Sequence, residues 1–287
     1  MESYPLTPWI VLFSLITWAA IAAFIILLVR IRRNPVPLDA LGMRLRSLPW
    51  RIEDAFALLA VFFAIQLINL SASLSAYHFG WLGEAQTEML QLVLQVITVP
   101  LVCLSCLALL MRARGIHFRD WINTENRSIG NLLWLGVFCY LAMFPPFIVA
   151  QTLNVTILDF LKVPVEKQSV INMLLNPDYP SWLRIQLIVL AVTAAPIVEE
   201  FIFRGIALPA LMRRMRTLPA ICIVSLIFAL IHFHIPSMGP LFVVAFAFSL
   251  GYVYSESLLV PIIMHALFNG INLLALLLLK DAPGLTH

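Results

Sequence analysis

LRIQLIVLAVTAAPIVEEFIFRGIALPALM, residues 183–212, is the stretch whose reading decides the fold. It is apolar over most of its length, and it exceeds the ~17–25 residues that a helix needs to cross a bilayer. Yet Glu199, Glu200 and Arg204 lie deep inside it. A charged group at the bilayer centre costs at least ~2.5–3.5 kcal/mol on insertion scales, so these three need partners or a water-filled cavity. The stretch therefore reads as a membrane helix carrying a buried polar site, and a functional role is the default explanation of such a site.

The rest of the chain agrees with a membrane setting. Of its 287 residues 62% are hydrophobic and 11% charged, against about 25% charged in soluble domains. Further apolar runs fall at 8–29, 55–74, 90–111, 130–150, 218–234, 239–255 and 258–279, the run at 239–255 being the shortest candidate. Continuous runs, without polar–apolar alternation, predict helices and argue against a barrel. The expectation is an all-α, polytopic membrane protein of about eight helices, forming a single membrane domain over 1–287. The first run lacks a basic segment before it and is followed by Arg30, Arg32 and Arg33. That charge order is the reverse of a cleavable signal peptide, so this helix is expected to be retained.

Basic residues orient the chain. Six arginines lie between the first two runs, four follow the third run, and Arg213, Arg214 and Arg216 follow the fifth. The opposite side carries Lys162, Lys167, Arg184 and Lys280. The positive-inside rule then places the basic loops in the cytoplasm and both termini outside, in the cell membrane. A net charge of +3 needs no nucleic-acid partner, because these arginines face an anionic leaflet. Cys103, Cys106, Cys139 and Cys222 all lie in apolar runs and read as packing residues, with no second pair to complete a zinc site. The longest loops are expected at about 30–54 and 151–182. The second carries Pro164, Pro177 and Pro180 around the short apolar stretch Val170 to Leu175, which reads as a connector or an interfacial partial helix. Pro145 and Pro146 should kink the fourth helix, and the sequon triplets at Asn126 and Asn154 carry no weight.

Spacing assigns candidate roles in the last four helices. Residues four apart share a helix face, whereas adjacent residues point about 100° apart. Glu200 can therefore pair with Arg204, leaving Glu199 as the carboxylate available to take a proton from water. The next run supplies Phe228 and His232, followed by His234 near its end, and the last run supplies His265 and Asn269, again four apart. Counting ~1.5 Å per residue from the basic boundary puts Glu199 and His232 about 21 Å deep, and His265 and Asn269 about 14 and 20 Å deep. These groups thus share one layer of the membrane.

The patterns Glu199-Glu200-x-x-x-Arg204, Phe228-x-x-x-His232 and His265-x-x-x-Asn269 resemble the three motifs of the CPBP family. That family comprises type II CAAX prenyl endopeptidases and bacteriocin-processing or self-immunity proteins. The resemblance covers about residues 183–280. It implies an all-helical fold with a site opening toward the cytoplasm, in which Glu199 and His232 activate water and His265 and Asn269 stabilise an oxyanion. Glu200, Arg204 and Phe228 would support the site. The implied partners are a peptide or lipidated protein substrate and the membrane lipids. Zinc could be held by Glu199, His232 and His265, but no H-E-x-x-H is present, and metal-independent water activation is the favoured reading. Two other readings compete: a non-catalytic scaffold or bacteriocin self-immunity protein, and a proton-coupled carrier. A carrier would show inverted repeats, which the hydrophobic pattern lacks.

Overall fold

A computed structural model of the chain describes residues 7–123, 127–163, 173–175 and 179–279. Every regular element among them is helical. The principal helices are α1 (Thr7–Arg33), α2 (Ile52–His78), α3 (Glu84–Arg114), α4 (Ile129–Phe160), α5 (Ser181–Met212), α6 (Thr217–Leu230), α7 (Ile235–Ser255) and α8 (Leu259–Leu279). Seven of them, all except α6, are long and apolar enough to cross a membrane, and the protein is an all-helical, multi-pass membrane protein. Large apolar side chains such as Leu15, Trp18, Leu67 and Leu109 are exposed on the outer faces of these helices, as a lipid solvent permits.

Three boundaries differ from those read off the chain. The apolar run at 218–234 yields only the 14-residue α6, whereas the run that looked marginal becomes the 21-residue α7. The cause lies at the junction between them. Phe233 adopts a left-handed φ of 48°, and Pro236 sits in the first turn of α7, where a missing N–H costs nothing. His234 precedes that turn, with its Nδ1 2.6 Å from Ser237 Oγ, which makes it a residue that shapes the turn. Separately, α4 runs through Pro145 and Pro146 to Phe160, so the expected loop at 151–182 starts ten residues later. Of the partial helix expected at Val170 to Leu175, residues 173–175 are helical, while 170–172 lie outside the described residues, as do Pro164, Lys167, Pro177, Asn126 and Lys280.

The chain divides into two compact units. One comprises residues 1–45, 123–166 and 215–264, and the other 46–122, 167–214 and 265–287, with the division falling inside α8. In the first unit α4 packs against α1 and α7, and α7 packs against α6. Close approach is permitted by glycine. A Cβ on Gly136 of α4 would lie 2.9 Å from the Ile263 side chain, and one on Gly251 of α7 would lie 2.9 Å from Met264 Sδ. Small residues at such crossings let helices approach within van der Waals range, which is the main source of association in lipid. Polar ties fix the ends. Asp39 Oδ1 accepts the Thr217 N–H at 2.7 Å and so caps α6, and Asn154 Nδ2 donates to Pro236 O at 2.6 Å.

In the second unit α2 and α3 form an antiparallel-sequence pair joined by Asn69 Nδ2 to Thr98 Oγ1 at 2.8 Å. Asp54 accepts from Arg114, the Nε contact measuring 3.0 Å, and closes the other end of that pair. Trp50 stacks on Trp121 at 5.4 Å between centroids, and Trp121 meets Phe201 of α5 at 4.5 Å. Arginines tie the end of α5 to the segment before α2: Arg46 Nη1 donates to Met212 O, while Arg213 Nη1 donates to Trp50 O at 3.2 Å. Cationic side chains are favoured at a helix C-terminus, where carbonyls lack partners. Leu92, Leu174, Leu183 and Leu187 bury the start of α5 against α3.

Candidate active site

The helix α5 is not a regular α-helix. It widens into a π-helical turn at Leu190–Ala194, returns to α geometry over Ala195–Glu200, and widens again at Phe201–Ala207. Each wide turn ends two residues before a proline, Pro196 or Pro209. A proline within an α-helix has no N–H and its ring collides with the carbonyl four residues back, so the backbone relieves the collision by taking i→i+5 bonds. Ala195 N–H accordingly donates to Leu190 O, and Leu208 N–H to Phe203 O. The two glutamates occupy the last two positions of the short α segment between these turns. Wide turns of this kind concentrate at functional sites.

Glu200 and Arg204 form the ion pair that their spacing predicts. Arg204 Nη1 donates to Glu200 Oε1 at 2.9 Å, and neither side chain has any exposed surface. The same Oε1 lies 2.8 Å from Nδ1 of His265 on α8. An ionised carboxylate can only accept, so Nδ1 carries the proton and Nε2 is left to face other groups. That Nε2 lies 3.9 Å from Glu199 Oε2. Arg204, Glu200, His265 and Glu199 thus form a continuous series of groups within one unit.

The adjacent carboxylates are in different states. Glu200 is fully enclosed, whereas the Glu199 side chain retains 24% of its surface. Glu199 Oε2 is itself buried and accepts no hydrogen bond among the described residues. A separation of 3.9 Å is too long for a direct hydrogen bond. The four-residue offset that places Glu200 on the Arg204 face therefore turns Glu199 toward the imidazole edge.

Asn269 sits elsewhere than the depth count places it. The count put it level with Glu199, but its Nδ2 donates to Ala191 O at 2.7 Å, eight residues before Glu199 on α5. It is His265 that stands level with the glutamates. The count assumed straight helices with a common starting plane, and the wide turns and helix tilt break that assumption.

The first unit holds the remaining motif residues. Phe228 is fully buried in the last turn of α6, and His232 follows in the turn after it. The expected helical placement of His232 is therefore corrected: the helix ends at Leu230. The i,i+4 relation survives in another form. His232 Nδ1 lies 2.7 Å from Phe228 O. A carbonyl only accepts, so Nδ1 is protonated and, in the neutral ring, Nε2 is a base. The rings of Phe228 and His232 are 4.7 Å apart, which fixes the imidazole plane.

Among the described residues no group of three or more His, Cys, Asp or Glu side chains is arranged to hold a metal ion. The Nδ1 atoms of both motif histidines are already bonded, to Glu200 Oε1 and to Phe228 O.

The second unit thus holds a buried glutamate–arginine–histidine cluster beside a second, partly accessible glutamate, within helices of a membrane protein. Residues 180–271 match the family model described as type II CAAX prenyl endopeptidase, Rce1-like. The match spans α5 to the middle of α8, includes all seven motif residues, and supports the CPBP/CAAX protease family for this chain. That family suggests intramembrane protease activity and a peptide or prenylated protein substrate. No curated protein and no solved structure matches the chain.

Proposed function

We propose that the protein is an intramembrane endopeptidase that hydrolyses a peptide or prenylated protein near its C-terminus, using water activated by glutamate and histidine. The observation that carries this reading is the division of labour between the two glutamates. Glu200 is fully enclosed, with its Oε1 held by Arg204 and His265, while Glu199 keeps part of its surface and faces His265 Nε2 at 3.9 Å; the Oε2 atoms of both accept no hydrogen bond among the described residues. A water donating to Glu199 loses a proton to it and attacks the scissile carbonyl; the same proton is then available for the leaving amine. In the family pattern His232 shares that proton, and its neutral Nε2 has the required acceptor character. In the family pattern His265 and Asn269 form the oxyanion side; with Nδ1–H on Glu200, His265 can donate from Nε2 only as the imidazolium, and Asn269 only through the amide proton that Ala191 O does not take. The catalytic helices of this reading are those within 183–280, inside one membrane domain.

Water must reach such a site, and α6 supplies a reason to expect it. Fourteen residues rise about 21 Å, less than the ~30 Å hydrocarbon layer. If α6 starts at the boundary marked by Arg213, Arg214 and Arg216, the irregular backbone at 231–234 falls at membrane depth. Non-helical backbone is tolerated there only when buried in protein or lining a wet cavity. The basic loops are proposed to be cytoplasmic and both termini outside. Val36→Cys and Phe79→Cys, labelled with an impermeant thiol reagent in intact cells, should give opposite results, with Phe79→Cys labelled.

The deciding experiment uses purified protein and a peptide library. Glu199→Gln should keep the folded protein and lower cleavage by ~10²-fold or more. Wild-type cleavage by that variant would remove Glu199 from the reaction. A scaffold or bacteriocin self-immunity protein of the same family would instead keep its biological effect in both Glu199→Gln and His232→Ala.

A further inference from the structure

The carbonyl of Ala191 has lost both of its possible helical donors. In an α-helix its partner would be the N–H of Ala195, but that group donates to Leu190 O. In a continued π turn its partner would be residue 196, which is proline and has no N–H. A backbone carbonyl in an apolar setting needs a partner from somewhere. It is supplied from α8, where Asn269 Nδ2 donates at 2.7 Å. Gly270 lies beside Asn269, and a Cβ there would already touch the Val192 side chain at 3.7 Å, so α8 passes close to this turn.

We propose that Asn269 is a positioning residue: its amide supplies the hydrogen bond that Pro196 withholds from Ala191, and so holds the wide turn that sets the rotation of Glu199. The consequence for the site is geometric. A wide turn inserts one extra residue, and one residue of register corresponds to about 100° of rotation. Without the turn, Glu200 would swing off the His265 face and Glu199 would leave the His265 Nε2 edge. Asn269 Nδ2 carries two protons, and the one on Ala191 O is spent on the helix. The cleavage arm of the test rests on the endopeptidase reading, whereas the exchange arm does not.

The test is a double-variant cycle on full-length protein in detergent. Asn269→Leu removes the donor and should lower cleavage on the order of 100-fold, the usual cost of misplacing a catalytic group by about 1 Å. Pro196→Ala restores a backbone N–H five residues after Ala191. In that background the same Asn269→Leu change should cost at least fivefold less. An equal loss in both backgrounds overturns the proposal and assigns Asn269 wholly to the substrate. Amide hydrogen exchange across residues 190–200 provides the second readout. It should quicken in Asn269→Leu and slow again when Pro196→Ala is added. If Pro196→Ala alone fails to fold or to cleave, the single comparison decides: unchanged exchange in Asn269→Leu overturns the clamp. Cleavage retained by Glu199→Gln would sink the functional reading and leave the exchange result standing.

Discussion

Arg204→Met separates what the buried ion pair does for folding from what it does for chemistry. Arg204 and Glu200 have no exposed surface and meet at 2.9 Å, so removing the guanidinium leaves a carboxylate enclosed without its cation. Breaking a buried pair in this way costs about 3–5 kcal/mol. At ~1.4 kcal/mol per tenfold, the folded fraction shifts by about two to three and a half orders of magnitude against the wild type. Much of a typical ~5–15 kcal/mol of stability is lost, so the single variant should give poor yield and a much lower unfolding temperature in detergent. Replacing both partners, Glu200→Leu with Arg204→Met, removes the uncompensated charge, and such apolar replacements are often neutral or stabilising. The double variant should therefore recover thermal stability. It should not recover cleavage, because His265 Nδ1 has lost the oxygen it bonds at 2.8 Å, the contact that orients its Nε2 toward Glu199. Thermal unfolding followed by intrinsic fluorescence and peptide cleavage, measured on the same preparations, reads both quantities. Wild-type stability in Arg204→Met would refute the desolvation argument. Cleavage restored in the double variant would refute the claim that Glu200 orients His265.

Other consequences follow from single contacts. Gly136→Ala should destabilise the protein by ~1–3 kcal/mol, because the new Cβ meets Ile263 at 2.9 Å and the Val260 carbonyl at 3.3 Å; thermal unfolding checks this, and an unchanged midpoint would mean the helices part freely. Asp39→Ala removes the cap on Thr217 N and should cost ~0.5–2 kcal/mol, again read by unfolding. Metal-independent activation of water by Glu199 and His232 predicts that a chelator leaves cleavage unchanged; loss of activity restored by added zinc would contradict this.

Membrane insertion and the local helix pairing were legible in the chain. A 62% hydrophobic composition dictates a lipid setting, and the cost of burying charge singles out Glu199, Glu200 and Arg204 without any coordinates. The Glu200–Arg204 pair depends only on the four-residue repeat of one helix, which is why it could be expected. Two features depended on groups brought together from distant positions. Which histidine stands beside which glutamate depends on the vertical register of α8 against α5, and counting residues missed it for Asn269. The end of α6 at Leu230 depends on the turn built by Phe233 and Pro236, which hydropathy averages over.

A local signal for the wide turns was present, since Pro196 and Pro209 each sit within a long apolar run. A proline alone permits a kink, a break or a π turn, and the choice rests on what can satisfy the released carbonyl. For Ala191 that partner is Asn269, 78 residues away. The sequence by itself determined that this chain lies in a membrane and carries buried ionisable groups, because hydropathy and the cost of burying charge are properties of each residue and its near neighbours. Only the tertiary structure decided that Glu200 is the enclosed carboxylate of a His265–Arg204 network and Glu199 the partly accessible one, because hydrogen bonding between helices depends on their relative rotation and depth.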